Sequence, residues 1–85
     1  MPRIVIFLDL DDTILQTAPK CPPGEPVEPM AVDRAGRALS FMTRAQRRLL
    51  DFWLERATVI PVTGRTDDAL ARVAIEFTSW RITHH

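Results

Sequence analysis

Three carboxylates, Asp9, Asp11 and Asp12, stand directly after the apolar run Ile4-Val5-Ile6-Phe7-Leu8. Carboxylates resist burial without partners, so a strand that empties into them is locally costly. In open α/β sheets, ligands bind at the carboxyl ends of the strands. Asp9 and Asp11 are two apart and therefore project to one side of a strand end, with Cα atoms about 6–7 Å apart. Asp12 points elsewhere. Two same-side carboxylates can hold a hard cation such as Mg²⁺, which prefers oxygen ligands and keeps waters that a phosphate can share. A second string, Val59-Ile60-Pro61-Val62-Thr63-Gly64-Arg65, again ends an apolar stretch in a small hydroxyl residue. A hydroxyl, free backbone N–H groups and a helix start together suit a phosphate. Gly64 lets the backbone approach it closely.

These residues need a scaffold of strands and helices. The run Ile4 to Leu8 is rich in β-branched residues and continuously apolar, as in a parallel strand covered on both faces. Residues 19–29 carry Pro19, Pro22, Pro23, Pro26 and Pro29 and are expected to form a stiff, irregular loop. Val32 to Leu39, with Gly36 near its middle, is expected to turn a small hairpin. Thr43 to Arg56 is the strongest helix. Thr43 and Gln46 make a capping box, while Ala45, Leu49, Phe52 and Trp53 supply an apolar stripe. Arg47 and Asp51 sit one turn apart on the polar side. Arg44, Arg47 and Arg48 are expected to lie on a solvated face rather than to form a basic patch.

Thr58 to Thr63 is the second strand, in which Pro61 implies a bulge or an unpaired position. Thr66 is placed to cap a helix reaching to about Phe77, with Leu70, Val73, Ala74 and Phe77 buried. Asp67 and Asp68 fall in its first turn, where negative charge favours the helix dipole. Ser79 to Thr83 is expected to add a third strand. The order β, hairpin, α, β, α, β implies an α/β sheet with crossovers.

Composition bounds the possibilities further. Eighty-five residues support one small domain with a thin core. Eleven basic residues balance eleven acidic ones, which gives no electrostatic reason to expect nucleic acid or an anionic membrane as partner. The single cysteine, Cys21, cannot form an internal disulfide and reads as a plain loop residue. The first apolar run is too short to span a membrane and ends in acids that no signal peptide core carries. A cytoplasmic location is the expectation.

Together the two strings resemble the haloacid dehalogenase (HAD) superfamily. Its first motif is an apolar strand followed by Asp-x-Asp-x-Thr, matched by Asp9, Asp11 and Thr13. Its second is a strand ending in Ser or Thr, matched by Thr63. The resemblance implies a Rossmann-like core with about three parallel strands, two helices and a flap hairpin. Residues 14–41 would form the short helical turn, the Pro-rich loop and the flap. It also implies a Mg²⁺-dependent phosphatase in which Asp9 attacks phosphorus and Asp11 serves as acid and base. The metal would bind the Asp9 carboxylate and the Asp11 backbone carbonyl, and Thr63 with the Gly64 amide would hold phosphoryl oxygens. Arg65 would either contact a substrate phosphate or lie on the surface. The implied substrate is a small phosphorylated metabolite, such as a sugar phosphate. Asp11 favours phosphate chemistry, since the superfamily's dehalogenases lack the second acid.

Other parts of that pattern are missing. Lys20 is the lone lysine and lies upstream of the place where the family puts its base. After Thr63 the carboxylates are Asp67, Asp68 and Glu76, all on one expected helix. Asp67 and Asp68 read as capping and dipole compensation rather than as a metal motif. His84 and His85 would face opposite ways on a strand and so make a poor metal pair. The Thr-Gly-Arg-Thr wording resembles the branch whose cap domain follows the second motif, and no cap is present. The expectation is therefore residues 1–85 as a partial core domain, weakly active or inactive alone and prone to associate through an unpaired sheet edge. A non-catalytic module that binds phosphate or Mg²⁺, or serves only for interaction, is the competing expectation.

Overall fold

The structure, a computed structural model, describes residues 4–77 and 82–83. Strand β1 (Ile4–Asp9) pairs in parallel with β5 (Ala57–Val62), in a register from Ile4↔Ala57 to Asp9↔Val62. A second sheet is antiparallel in the order β2-β4-β3, formed by Gln16–Thr17, Ala38–Thr43 and Val27–Val32. Helix α1 (Arg44–Arg56) leads from β4 into β5, and the short α2 (Asp67–Ala71) follows β5. The chain is thus mixed α/β, with a parallel strand pair and two helices. No helix among the described residues is long and apolar enough to cross a membrane.

Local signals place most elements. The capping box of α1 is complete: Thr43 Oγ1 accepts from the Gln46 N–H and Gln46 Oε1 from the Thr43 N–H. Arg47 pairs with Asp51 at 3.4 Å along the helix. The Thr66 hydroxyl caps α2 by accepting from the Ala69 N–H, with Asp67 and Asp68 in the first turn. Gly36 sits at φ +82° in the hairpin turn between β3 and β4, a conformation that favours glycine.

Asp33 organises that turn. Its carboxylate accepts from the backbone N–H groups of Arg37 and Ala35 and from the Arg37 guanidinium. Foremost the Arg37 backbone bond, and then the others, hold the Asp33 carboxyl below its usual 3.8. A lowered carboxyl pKa stabilises the turn above the unfolded value, and that stability is lost as pH falls through the folded value. The Ala35 and Arg37 amide resonances should therefore shift together at a midpoint under 3.8. A midpoint at or above that value would contradict the bonds.

Several expectations need correction. The helix expected to reach Phe77 stops at Ala71, because the next residues pair with β3 instead. Ala31 bridges Val73, the Val32 N–H donates to Arg72 O, and the Ala74 N–H donates to Met30 O at 2.7 Å. Leu70 and Val73 are buried as expected, but Ala74 is exposed and Ile75 is buried in its place. The Pro-rich stretch is less irregular than expected. It holds a 3-10 turn at Ala18–Lys20 and, from Val27, the start of β3. Pro29 is tolerated there because the β3–β4 register shifts immediately after it.

The face that α1 buries is also rotated from the expected one. Leu50 is wholly buried, with Trp53 and Leu54 packed partly against the core, while Ala45, Leu49 and Phe52 are exposed. Pro61 needs no bulge, since the β1–β5 register runs through it unshifted. Its carbonyl accepts from the Ile82 N–H, so its ring nitrogen faces away from β1, where no ladder bond to β1 is lost. Val62 bridges Ile82 in parallel, which gives one point of the expected third strand, but Ser79 to Arg81 lie outside the described residues, as do His84 and His85. Strand β1 is covered on one face only among the described residues: Leu8 is buried, while Val5 and Phe7 are exposed.

One apolar cluster joins these parts. It contains Leu8, Leu10, Ile14 and Leu15 from β1 and the turn after it, Met30, Ala31 and Met42 from the hairpin, and Leu50, Val59, Leu70, Val73 and Ile75. The turn that carries the acidic residues is therefore anchored by its own apolar neighbours.

Candidate functional site

The parallel register aligns the carboxyl ends of β1 and β5, with Asp9 opposite Val62. Adjacent strands lie about 4.8 Å apart, so Thr63 emerges beside Leu10 at the tip of β1. Beyond Asp9 the chain turns sharply. The Leu10 carbonyl accepts from the N–H groups of Thr13, Ile14 and Leu15, the Asp12 N–H donates back to Leu15 O, and Asp12 takes φ +64°. An aspartate tolerates this left-handed conformation better than most residues. Burial of Leu10, Ile14 and Leu15 leaves Asp9, Asp11, Asp12 and Thr13 on the exposed side.

Each acidic side chain has a distinct partner. Thr13 Oγ1 donates to Asp9 Oδ2 at 2.9 Å. Arg65 grips Asp11 with two bonds, Nε to Oδ2 at 3.0 Å and Nη2 to Oδ1 at 2.9 Å. The Arg65 side chain is only 12% exposed, and its third nitrogen donates to Ala69 O. Thr63 is buried, and its hydroxyl accepts from the Arg65 backbone N–H at 3.1 Å. Asp12 is turned away from the other two and meets Lys20, whose ammonium lies 3.0 Å from both carboxylate oxygens.

Of the residues singled out from the sequence, Asp9 and Thr13 are thus in contact, and Asp11 is linked through Arg65 to Thr63. Arg65 neither lies free on the surface nor points out alone, since it closes a planar, bidentate pair with the acid. Gly64 has no positive φ, and a Cβ there would meet no protein atom within 4 Å. Sequence reasoning overlooked Gln16 and gave Gln46 only its capping role. Gln46 Nε2 donates to the Thr13 carbonyl at 3.2 Å and to Gln16 Oε1 at 2.7 Å. Gln16 Nε2 in turn donates to Phe41 O and Gln46 Oε1. A long polar residue directly after the apolar pair Ile14-Leu15 is the signal that could have flagged it. Cys21 is half-buried, donates to Thr17 O and accepts a long bond from Gln16, as befits a structural loop residue.

A divalent cation has a limited set of ligands here. Asp9 Oδ1 and the Asp11 backbone carbonyl accept no hydrogen bond among the described residues. These are oxygen ligands of the type Mg²⁺ prefers, and that ion completes its shell with waters and substrate oxygens. Among the described residues no group of three or more His, Cys, Asp or Glu side chains converges on a point. No protein-family model matches the chain, and no curated protein matches it.

Proposed function

We propose that the chain carries the nucleophile-bearing part of a Mg²⁺-dependent phosphomonoester hydrolase of the HAD kind, acting on a small phosphorylated metabolite such as a sugar phosphate. The observation that carries this reading is the pairing at the two strand tips, Asp9 with Thr13 and Asp11 with Arg65, whose backbone N–H donates to the Thr63 hydroxyl. Asp9 attacks phosphorus and forms an aspartyl-phosphate, which divides hydrolysis into two easier displacements. Asp11, once released from Arg65 and protonated from solvent, gives that proton to the leaving oxygen and later takes one from the attacking water. The Thr63 hydroxyl, the Gly64 amide and Arg65 hold phosphoryl oxygens. The Asp9 carboxylate and the Asp11 backbone carbonyl would hold Mg²⁺, which when bound would supply positive charge against the developing phosphoryl charge.

For Asp11 to act, the bidentate pair with Arg65 must open. A phosphate dianion is a competitor of the right charge and geometry for the same guanidinium. That exchange moves Arg65 onto substrate and releases the acid together. Turnover of 4-nitrophenyl phosphate by the chain should require added Mg²⁺ and vanish on chelation. Equal turnover with and without the metal would refute the proposal, whereas none under either condition would favour the non-catalytic module.

The second reading, a non-catalytic module that binds phosphate or Mg²⁺ or serves for interaction, is favoured by one observation. Both oxygens of Asp11 are already engaged by Arg65. Mg²⁺ or phosphate binding without turnover would select it. Either reading accommodates self-association, because β1 has no partner on its outer edge among the described residues and Ile4 and Phe7 are exposed.

A further inference from the structure

The side chain of Gln46 makes more bonds than a helix cap requires. A capping box needs only the bond between its Oε1 and the Thr43 N–H, 2.8 Å long. Gln46 also accepts from Gln16 Nε2 at 3.1 Å and donates to Gln16 Oε1 at 2.7 Å and to Thr13 O at 3.2 Å. Both donors and both acceptor positions of the amide are thereby used. Its orientation is unambiguous, since a fixed backbone donor at Thr43 meets the oxygen and a fixed backbone acceptor at Thr13 meets the nitrogen.

Thr13 is the residue whose hydroxyl donates to Asp9. It lies in the tight turn over residues 10–15, which contains Asp12 at φ +64°. We infer that Gln46 is a positioning residue: its amide ties the first turn of α1 to the Thr13 carbonyl, and so fixes the Thr13 hydroxyl and the Asp9 carboxylate it holds. Gln16 braces the same amide from β2 and the Phe41 carbonyl of β4. The inference rests on the phosphatase reading for its effect on rate, but the tether itself does not.

Gln46→Glu separates the two jobs of this side chain. Glutamate completes a capping box as well as glutamine does, but has no N–H to offer Thr13. Its carboxylate would face the Thr13 carbonyl with like partial charge. Displacement of a reacting group by about 1 Å can cost on the order of 100-fold in rate. For turnover of 4-nitrophenyl phosphate, kcat should fall by about that factor in Gln46→Glu, with KM little changed and a loss beyond what any fall in the thermal midpoint explains. Thr43→Ala, which removes the cap and leaves the tether, should lower the midpoint and spare kcat.

The inference is overturned if Gln46→Glu keeps kcat within a factor of about two, well short of that loss. It is equally overturned if the loss in kcat merely follows the loss of fold across both variants. Absence of turnover in the unaltered chain would favour the non-catalytic reading and leave the tether to a second measurement. The tether is then judged by the Thr13 carbonyl ¹³C resonance, which must move in Gln46→Glu and stay in place in Thr43→Ala. An unmoved resonance removes the tether as well.

Discussion

Asp9→Asn should reduce phosphate-ester turnover to the uncatalysed background while leaving the fold intact. The side chain is exposed at the end of β1, and its one bond among the described residues is accepted by Oδ2 from Thr13. An amide oxygen can accept the same bond, so the turn keeps its geometry. Surface substitutions of this kind change stability by about 0.5 kcal/mol or less. What is lost is the anionic oxygen that forms the covalent intermediate in the proposed function. Loss of a general acid or base costs about 10²–10⁴-fold, and loss of the nucleophile itself should exceed that range. Steady-state hydrolysis of 4-nitrophenyl phosphate, with far-ultraviolet circular dichroism as the control for folding, checks both halves. Residual turnover within tenfold of the unaltered chain would remove Asp9 as nucleophile.

Leu50→Ala should unfold the chain or bring it close to unfolding. Leu50 is 0% exposed and belongs to the cluster that unites β1, its turn, the hairpin and β5. Truncating a buried leucine typically costs about 2–5 kcal/mol through lost transfer energy and the cavity left behind. At roughly 0.05–0.15 kcal/mol per residue, a domain of this length has only about 4–13 kcal/mol in total. Leu49, its neighbour, is 45% exposed, so Leu49→Ala should cost less than about 1 kcal/mol. Urea unfolding followed at 222 nm would give both values. A smaller loss at Leu50 than at Leu49 would mean that α1 presents the other face to the core.

That pair of residues marks where local pattern stops being informative. The limits of α1 were legible, because Thr43 and Gln46 form the cap through neighbours three apart. Its rotation was not. Ala45, Leu49, Phe52 and Trp53 form a plausible stripe by spacing, but Gln46 is held from outside the helix by Gln16 and Thr13, and this turns Leu50 inward. The end of α2 was hidden for the same kind of reason. Its continuation as a helix lost to backbone bonds with β3, some forty positions upstream, as in the Val32 N–H bond to the Arg72 carbonyl. At the site, the strand tips and the Asp9–Thr13 neighbourhood could be expected from a spacing of four. The Arg65–Asp11 pair spans 54 positions and could not.

The stretch Ile4 to Leu8 combines high β-propensity with no charge and no proline, the profile of a segment that recruits its own kind into stacked strands. Its outward side chains are uncovered among the described residues, including Phe7 at 64% exposure. Directly behind it come Asp9, Asp11 and Asp12, charges in the place where gatekeepers protect such a window. The acids at the tip therefore do double duty, and each neutral replacement made to probe reactivity also strips a safeguard against aggregation. Colloidal behaviour and chemistry are coupled at this corner of the molecule by nothing more than chain adjacency.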